Sequence, residues 1–226
     1  MLQGTEARHL LKVLRTPVGA TVRLFDGQGN EGLFELTESS GKKAQLVCLE
    51  FTENPQPKSE LVVACGWNKS SRRAWLLEKS VELEAAGLIF WQATFSQGKV
   101  PAQCKDSWHE KLVQSAKQCG NPYLPTLDVC SGVKGLVAMA ADYDKCYLLW
   151  ENPELDGLIS VDDMSEGRIL VVVGPEGGIS PKEAETFIAG GFSPVSLGQR
   201  ILRWETAAMH CLGLGFHGRQ IALLKK

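Results

Sequence analysis

The sequence has little net charge, and it lacks long apolar runs and paired cysteines. With 24 Lys and Arg against 26 Asp and Glu the formal charge is −2, so no global basic field points to nucleic acid. No apolar stretch approaches the roughly 18 residues that span a bilayer, so membrane insertion is excluded as an expectation. The opening Met1-Leu2-Gln3-Gly4-Thr5-Glu6 has no basic start followed by an apolar segment, unlike a secretory leader. The seven cysteines are odd in number and none stands in a C-x-x-C pair, which speaks against a zinc or redox motif. Reduced thiols in a cytoplasmic protein are expected. Only four histidines occur, with no ligand spacing among His, Cys and carboxylates, so no metal is expected.

What is present divides at a proline-rich stretch, Asn54-Pro55-Gln56-Pro57-Lys58. Before it, Glu6 to Leu14 has the apolar positions of a short helix. Thr21–Phe25, Gly32–Leu36 and Lys43–Phe51 then read as strands around the turn Asp26-Gly27-Gln28-Gly29-Asn30. No helical pattern interrupts them, so residues 1–54 are expected to form a small β-barrel. Residues 7–25 carry Arg8, Lys12, Arg15 and Arg23 and no acid. Residues 1–80 hold 11 basic against 9 acidic side chains, a local excess compatible with phosphate contacts or with an ordinary solvated surface.

After the prolines the rhythm changes. Leu61–Cys65 is a continuous apolar run, as in a strand buried on both faces. The pattern predicts helices at Arg72–Ala86, Asp106–Cys119, Pro181–Ala189 and Trp204–Gly213. It predicts strands at Leu88–Trp91, Cys146–Trp150, Ile169–Val173 and Phe192–Leu197. The alternation argues for an α/β domain over residues 58–226 with a mainly parallel sheet.

Two stretches could carry chemistry. Ile169 to Glu183 reads as a buried strand, the glycine-rich turn Gly174-Pro175-Glu176-Gly177-Gly178, and a helix start. There Ser180, Pro181 and Glu183 suit the N-cap, N1 and N3 positions. The turn lacks both the G-x-G-x-x-G spacing and a Walker lysine, so it serves either a ligand other than a cradled phosphate or the fold alone. In Val195 to Ala208, apolar Leu197, Ile201 and Leu202 sit in a loop with two arginines, Arg200 and Arg203, among them. Such a loop suits a flat aromatic ligand such as adenine, or it docks into the core.

Together these two stretches closely resemble the RsmE family, the ribosomal RNA small-subunit methyltransferases E of the knotted SPOUT superfamily. His9-Leu10-Leu11-Lys12-Val13-Leu14-Arg15 with Leu24-Phe25-Asp26-Gly27 is similar to the family's PUA-like RNA-binding domain. Lys69 with Glu78–Leu83, and Trp108–Gly120, resemble its two central helices. The resemblance implies a C-terminal SPOUT trefoil-knot methyltransferase domain behind a small N-terminal PUA-like β-barrel. It also implies a homodimer, S-adenosylmethionine as methyl donor, and N3-methyluridine in 16S ribosomal RNA of the small subunit as product. By the same resemblance the donor pocket comprises Leu149, Trp150, Glu151, Gly174, Pro175, Glu176, Gly177, Leu197, Gly198, Ile201, Leu202 and Arg203. Arg203 is the first candidate for stabilising substrate and Glu176 for accepting a proton. His9, Lys12, Arg15, Lys69, Arg72 and Arg73 are candidate RNA contacts. Transfer RNA as substrate and a non-catalytic ribosome-assembly role are the competing readings. The chain departs from the family in four places, one of them Glu84-Ala85-Ala86-Gly87 in place of a more usual Gly-containing turn. A first strand is expected to be missing ahead of Leu2. Trp204 replaces a small polar residue and is expected to narrow the pocket or stack on a base. Gln118-Cys119-Gly120-Asn121 lacks an arginine that commonly follows the glycine.

Overall fold

The computed structural model describes residues 1–40, 42–69, 71–151 and 157–224, and the chain divides into two compact units, Met1–Gln56 and Pro57–Lys226. In the first unit β1 (Leu2–Gln3) leads into α1 (Gly4–Arg8), which a π-helical turn over His9–Val13 continues. Then come β2 (Thr21–Phe25), β3 (Asn30–Ser40) and β4 (Lys43–Glu53), in the antiparallel order β1-β4-β3-β2. The expected vacancy at the first strand is thus partly filled, because Leu2 and Gln3 pair with Ala44 and Lys43. Register shifts at Leu33/Phe34 and Leu36/Glu38 curl the long β3–β4 ribbon. The Asp26 carboxylate fixes the tight turn before β3 by accepting from Gln28 N at 2.7 Å and from Asn30 Nδ2 at 2.7 Å. The core is small: Leu10, Leu36 and Ala44, flanked by Leu2, Leu11, Val22 and Leu46.

The second unit begins with β5 (Ser59–Gly66), α2 (Arg72–Glu82), β6 (Gly87–Trp91) and α3 (Asp106–Cys119). It continues through β7 (Thr126–Cys130), α4 (Val133–Met139), β8 (Lys145–Leu149) and β9 (Gly167–Val173). It ends with α5 (Pro181–Ala189), β10 (Ser193–Val195) and α6 (Trp204–Leu224). All six strands are parallel, in the order β10-β8-β9-β5-β6-β7. Alternate side chains of the buried strands feed two cores. Val62, Ala64, Ile89, Trp91, Leu170 and Val172 join Leu136 of α4 with Ala184 and Phe187 of α5. The opposite face carries α6, whose Gly215 lies against Leu61 of β5 so closely that a Cβ there would stand 2.8 Å from Leu61 Cδ2.

The route of the chain is unusual. β10 is an outer strand, yet α6 packs on central β5. The connection from β8 to β9 lies against both the exit of β10 and the body of α6. Leu158 forms a parallel bridge with Ser196, and Gly218 of α6 sits where a Cβ would be 3.3 Å from Val161 O. No helix among the described residues is long and apolar enough to cross a membrane, and no group of three His, Cys, Asp or Glu among them could hold a metal.

Candidate functional site

Strand register places three loops at one level of the sheet. Val195 of β10 pairs with Leu149 of β8, Leu149 pairs with Val173 of β9, and Val173 pairs with Cys65 of β5. The chain therefore leaves the carboxyl ends of three neighbouring strands side by side, at 150, 174 and 196. In open α/β sheets this end is where ligands bind. The fold thus brings together Leu149, Trp150 and Glu151, the Gly174–Gly177 turn, and the segment Leu197 to Arg203.

The glycine-rich turn is held from below and from the side. Gly66 ends β5 directly beneath it: a Cβ on Gly66 would stand 2.3 Å from Pro175 N. A Cβ on Gly174 would meet Ile179 Cγ1 at 2.8 Å, and one on Gly177 would meet Phe95 Cβ at 2.7 Å. Gly178 N donates to Pro175 O at 2.9 Å and Gly178 takes φ +77°, which closes the turn. Behind it, Ser180 and Glu183 form the capping box of α5. The Glu183 carboxylate is buried and accepts from Ser180 Oγ at 2.7 Å, Ser180 N at 3.0 Å and, from the loop after β6, Thr94 N at 2.7 Å. Exposed Glu176 accepts from Gln97 Nε2 at 3.1 Å in that same loop.

The other two loops are tied to each other. Trp150 N donates to Val195 O at 3.3 Å, Ser196 N to Gly157 O at 2.8 Å, and Ile159 N to Ser196 O at 3.1 Å. Ser196 Oγ accepts from Gly198 N at 3.1 Å, and Gly198 takes φ +123°. Beyond it Ile201 is 81% exposed, an apolar side chain offered to solvent beside a ligand-type loop. Arg203 is exposed, and its carbonyl accepts from Ala207 N at 2.9 Å to begin α6. Trp204 is 4% exposed, so it belongs to the interior. The expectation that it stacks on a base is corrected: the first turn of α6 points the indole into the unit.

The candidate RNA contacts fall into distinct settings. His9 is half-buried in the π-helical turn, whereas Lys12 and Arg15 are exposed, Arg15 with φ +53°. Lys69 is exposed and its chain runs over Gly98. Arg72 pairs with buried Glu205 at the start of α6. The Arg73 guanidinium lies 3.8 Å from the ring centre of Trp67 and donates to Asn68 O. Burial lowers its pKa from the ordinary arginine value. The packing thus engages Arg73 within the fold, while Lys69 stays open to solvent. Phe95 and Gln97, which brace the glycine turn, carry no motif in the sequence. Contact with Gly177 and Glu176 alone reveals them.

The residues present suit a nucleoside-type methyl donor. Backbone crowded by glycines and an exposed apolar loop offer a close, flat surface, and no lysine competes for a phosphate at the turn. The RNA methyltransferase domain family matches residues 54–215, and the RNA methyltransferase PUA domain family matches residues 2–48. The ribosomal RNA small subunit methyltransferase E of Bacillus subtilis is 28% identical over 222 residues, covering 93% of this chain and 87% of that protein. A probable rRNA-methyltransferase from Porphyromonas gingivalis superposes with TM-score 0.83 at 26% identity, over 96% of this chain and 92% of that one. A ribosomal RNA small subunit methyltransferase E from Neisseria gonorrhoeae, bound to S-adenosyl methionine, superposes with TM-score 0.79 at 25% identity, over 94% and 88%. The three converging loops and these matches agree, and the chain belongs to the RsmE family of RNA methyltransferases, with a PUA-like amino-terminal unit and a SPOUT trefoil-knot α/β domain.

Proposed function

We propose that this protein is an S-adenosylmethionine-dependent methyltransferase acting on N3 of a uridine in 16S ribosomal RNA. The carrying observation is the convergence of three loops at the carboxyl ends of β8, β9 and β10. Leu149–Glu151, Gly174–Gly177, Leu197, Gly198, Ile201 and Leu202 would hold the donor, which supplies an electrophilic methyl group when bound. The protein's part is then alignment of the nucleophile with that methyl and control of one proton.

Uridine N3 carries a proton that must leave as the nitrogen attacks. Arg203 would stabilise the negative charge that spreads onto the uracil oxygens, a reading that its exposure just before α6 supports. Glu176 is the candidate proton acceptor. Gln97 holds one of its oxygens, which leaves the other for a substrate. The enzyme works in the cytoplasm as a homodimer whose PUA-like unit, with His9, Lys12 and Arg15, contacts phosphates of the ribosomal RNA.

Calorimetric titration with S-adenosylmethionine tests this reading. Saturable binding is expected, and it should be lost in a folded Gly177→Val variant. Absence of binding by the folded wild-type chain would overturn the assignment. Primer extension on RNA methylated by the enzyme then locates the product, since a methyl on N3 removes the pairing donor and stops the polymerase.

A further inference from the structure

The loop that follows β6 has no part in the three strand ends that form the donor site, yet it is built against them. Thr94 N donates to Glu183 at 2.7 Å and Gln97 Nε2 to Glu176 at 3.1 Å. Internal bonds stiffen it: Ala93 N to Ser96 Oγ at 2.9 Å, Gln92 Nε2 to Gly98 O at 3.2 Å, and Val100 N to Gln92 Oε1 at 2.7 Å. On this scaffold Phe95 sits with its Cβ against the backbone of Gly177 while its side chain stays open, so that the residue is 49% exposed. A loop this well bonded could bury a phenylalanine, and this one holds it out beside the donor site. On the same loop the Lys69 side chain crosses Gly98, where a Cβ would stand 2.9 Å from Lys69 Cε and where φ is +86°. The positive φ favours glycine there, while the lysine chain is flexible enough to shift. Among the described residues Lys69 meets no carboxylate.

An exposed aromatic ring on a loop that an unpaired lysine side chain crosses is chemistry that can hold one nucleotide, the base by stacking and the phosphate by charge. The need is specific to the reaction. Uracil N3 lies on the Watson–Crick edge, so a base methylated there must leave its pair and its stack. We propose that the loop Thr94–Lys99 is the docking platform for an unstacked base of the substrate RNA, with Phe95 as the stacking face and Lys69 as the phosphate contact. The proposal rests on the methyltransferase reading above.

The test uses the full-length chain, fluorescence anisotropy with transcribed small-subunit ribosomal RNA, and calorimetry with S-adenosylmethionine. Phe95→Ala is expected to weaken RNA binding about tenfold, with the donor affinity and melting temperature unchanged. Phe95→Tyr should restore RNA binding and Phe95→Leu should not. Lys69→Gln should lower the salt dependence of RNA binding by about one unit of log–log slope. Wild-type RNA affinity in Phe95→Ala, or equal rescue by Leu and Tyr, would overturn the platform. So would weakened donor binding with RNA affinity intact, which would place Phe95 in the donor pocket. Because RNA affinity is read without turnover, failure of the platform is distinct from failure of the wild-type chain to bind the donor.

Discussion

Two carboxylates on one turn and helix have opposite settings. Glu183 is 8% exposed and its oxygens accept three hydrogen bonds, two from Ser180 and one from Thr94. Glu176 is exposed and accepts one bond from Gln97. Glu183→Ala leaves buried donors unpaired and should cost about 2–4 kcal/mol in urea unfolding, since the bonds to a charged acceptor are among the stronger ones. Glu176→Gln should leave stability unchanged and slow methyl transfer, a difference that a melting curve beside a turnover assay reads directly. Arg203→Ala should cut turnover about a hundredfold or more with little loss of fold, because the side chain is exposed. A folded Arg203→Ala enzyme with full activity would remove that residue from the mechanism. Gly66→Ala drives a Cβ into the backbone of Pro175 and should destabilise the second unit by about 1–3 kcal/mol.

At the scale of elements, the β8–β9 connection is pinned by Tyr147, whose hydroxyl donates to Asp163 Oδ1 at 3.1 Å. Burial, and then the nearby Asp163 charge, push the Tyr147 phenol up to about 12. A raised folded-state value means that this bond contributes fully below the ordinary phenol pKa of roughly 10. Its contribution is lost as pH climbs through about 12. For Asp163 burial acts upward, but hydrogen bonds from Ser160 and Tyr147 and the charge of Lys145 outweigh it, so its pKa falls. Its contribution is present above the ordinary carboxylate value and fades as pH drops through the lowered one. Tyr147→Phe should therefore lower the melting temperature at neutral pH, where the bond is intact, and flatten the alkaline end of the profile. The strongly patterned elements were legible in the sequence. Asp106–Cys119 and Pro181–Ala189 form the helices their periodicity and caps predict, and the apolar run at Leu61–Cys65 is the buried central strand. The pattern did not reveal Thr126–Cys130, a half-exposed edge strand with Asp128 in it, or Val133–Met139, a seven-residue helix broken in pattern by Gly135. It also stopped α6 near Gly213, whereas the helix runs to Leu224 because Gly215 and Gly218 are close-packing points against Leu61 and Ser165. In the site, the loops with family motifs could be read. Phe95 and Gln97 could not, since their meaning lies only in what β6 brings beside the glycine turn.

For the molecule as a whole, the two units differ in the means of their stability. The first rests on a cluster of three buried apolar residues beneath a curled sheet, the second on a parallel sheet covered on both faces. Residues 57–226 alone should unfold cooperatively and keep donor affinity while RNA affinity weakens without being abolished, which calorimetry and anisotropy on the truncated chain would check. The thiols divide in a useful way. Cys65, Cys130 and Cys211 are buried; desolvation lifts Cys65 far above the usual thiol value and Cys211 to about 12. Burial also raises half-buried Cys104 and Cys146. Cys48 and Cys119 are exposed, one in each unit. A mixture of donor and acceptor maleimides at neutral pH should thus react first at one point per unit, so that energy transfer can follow the two units as RNA arrives.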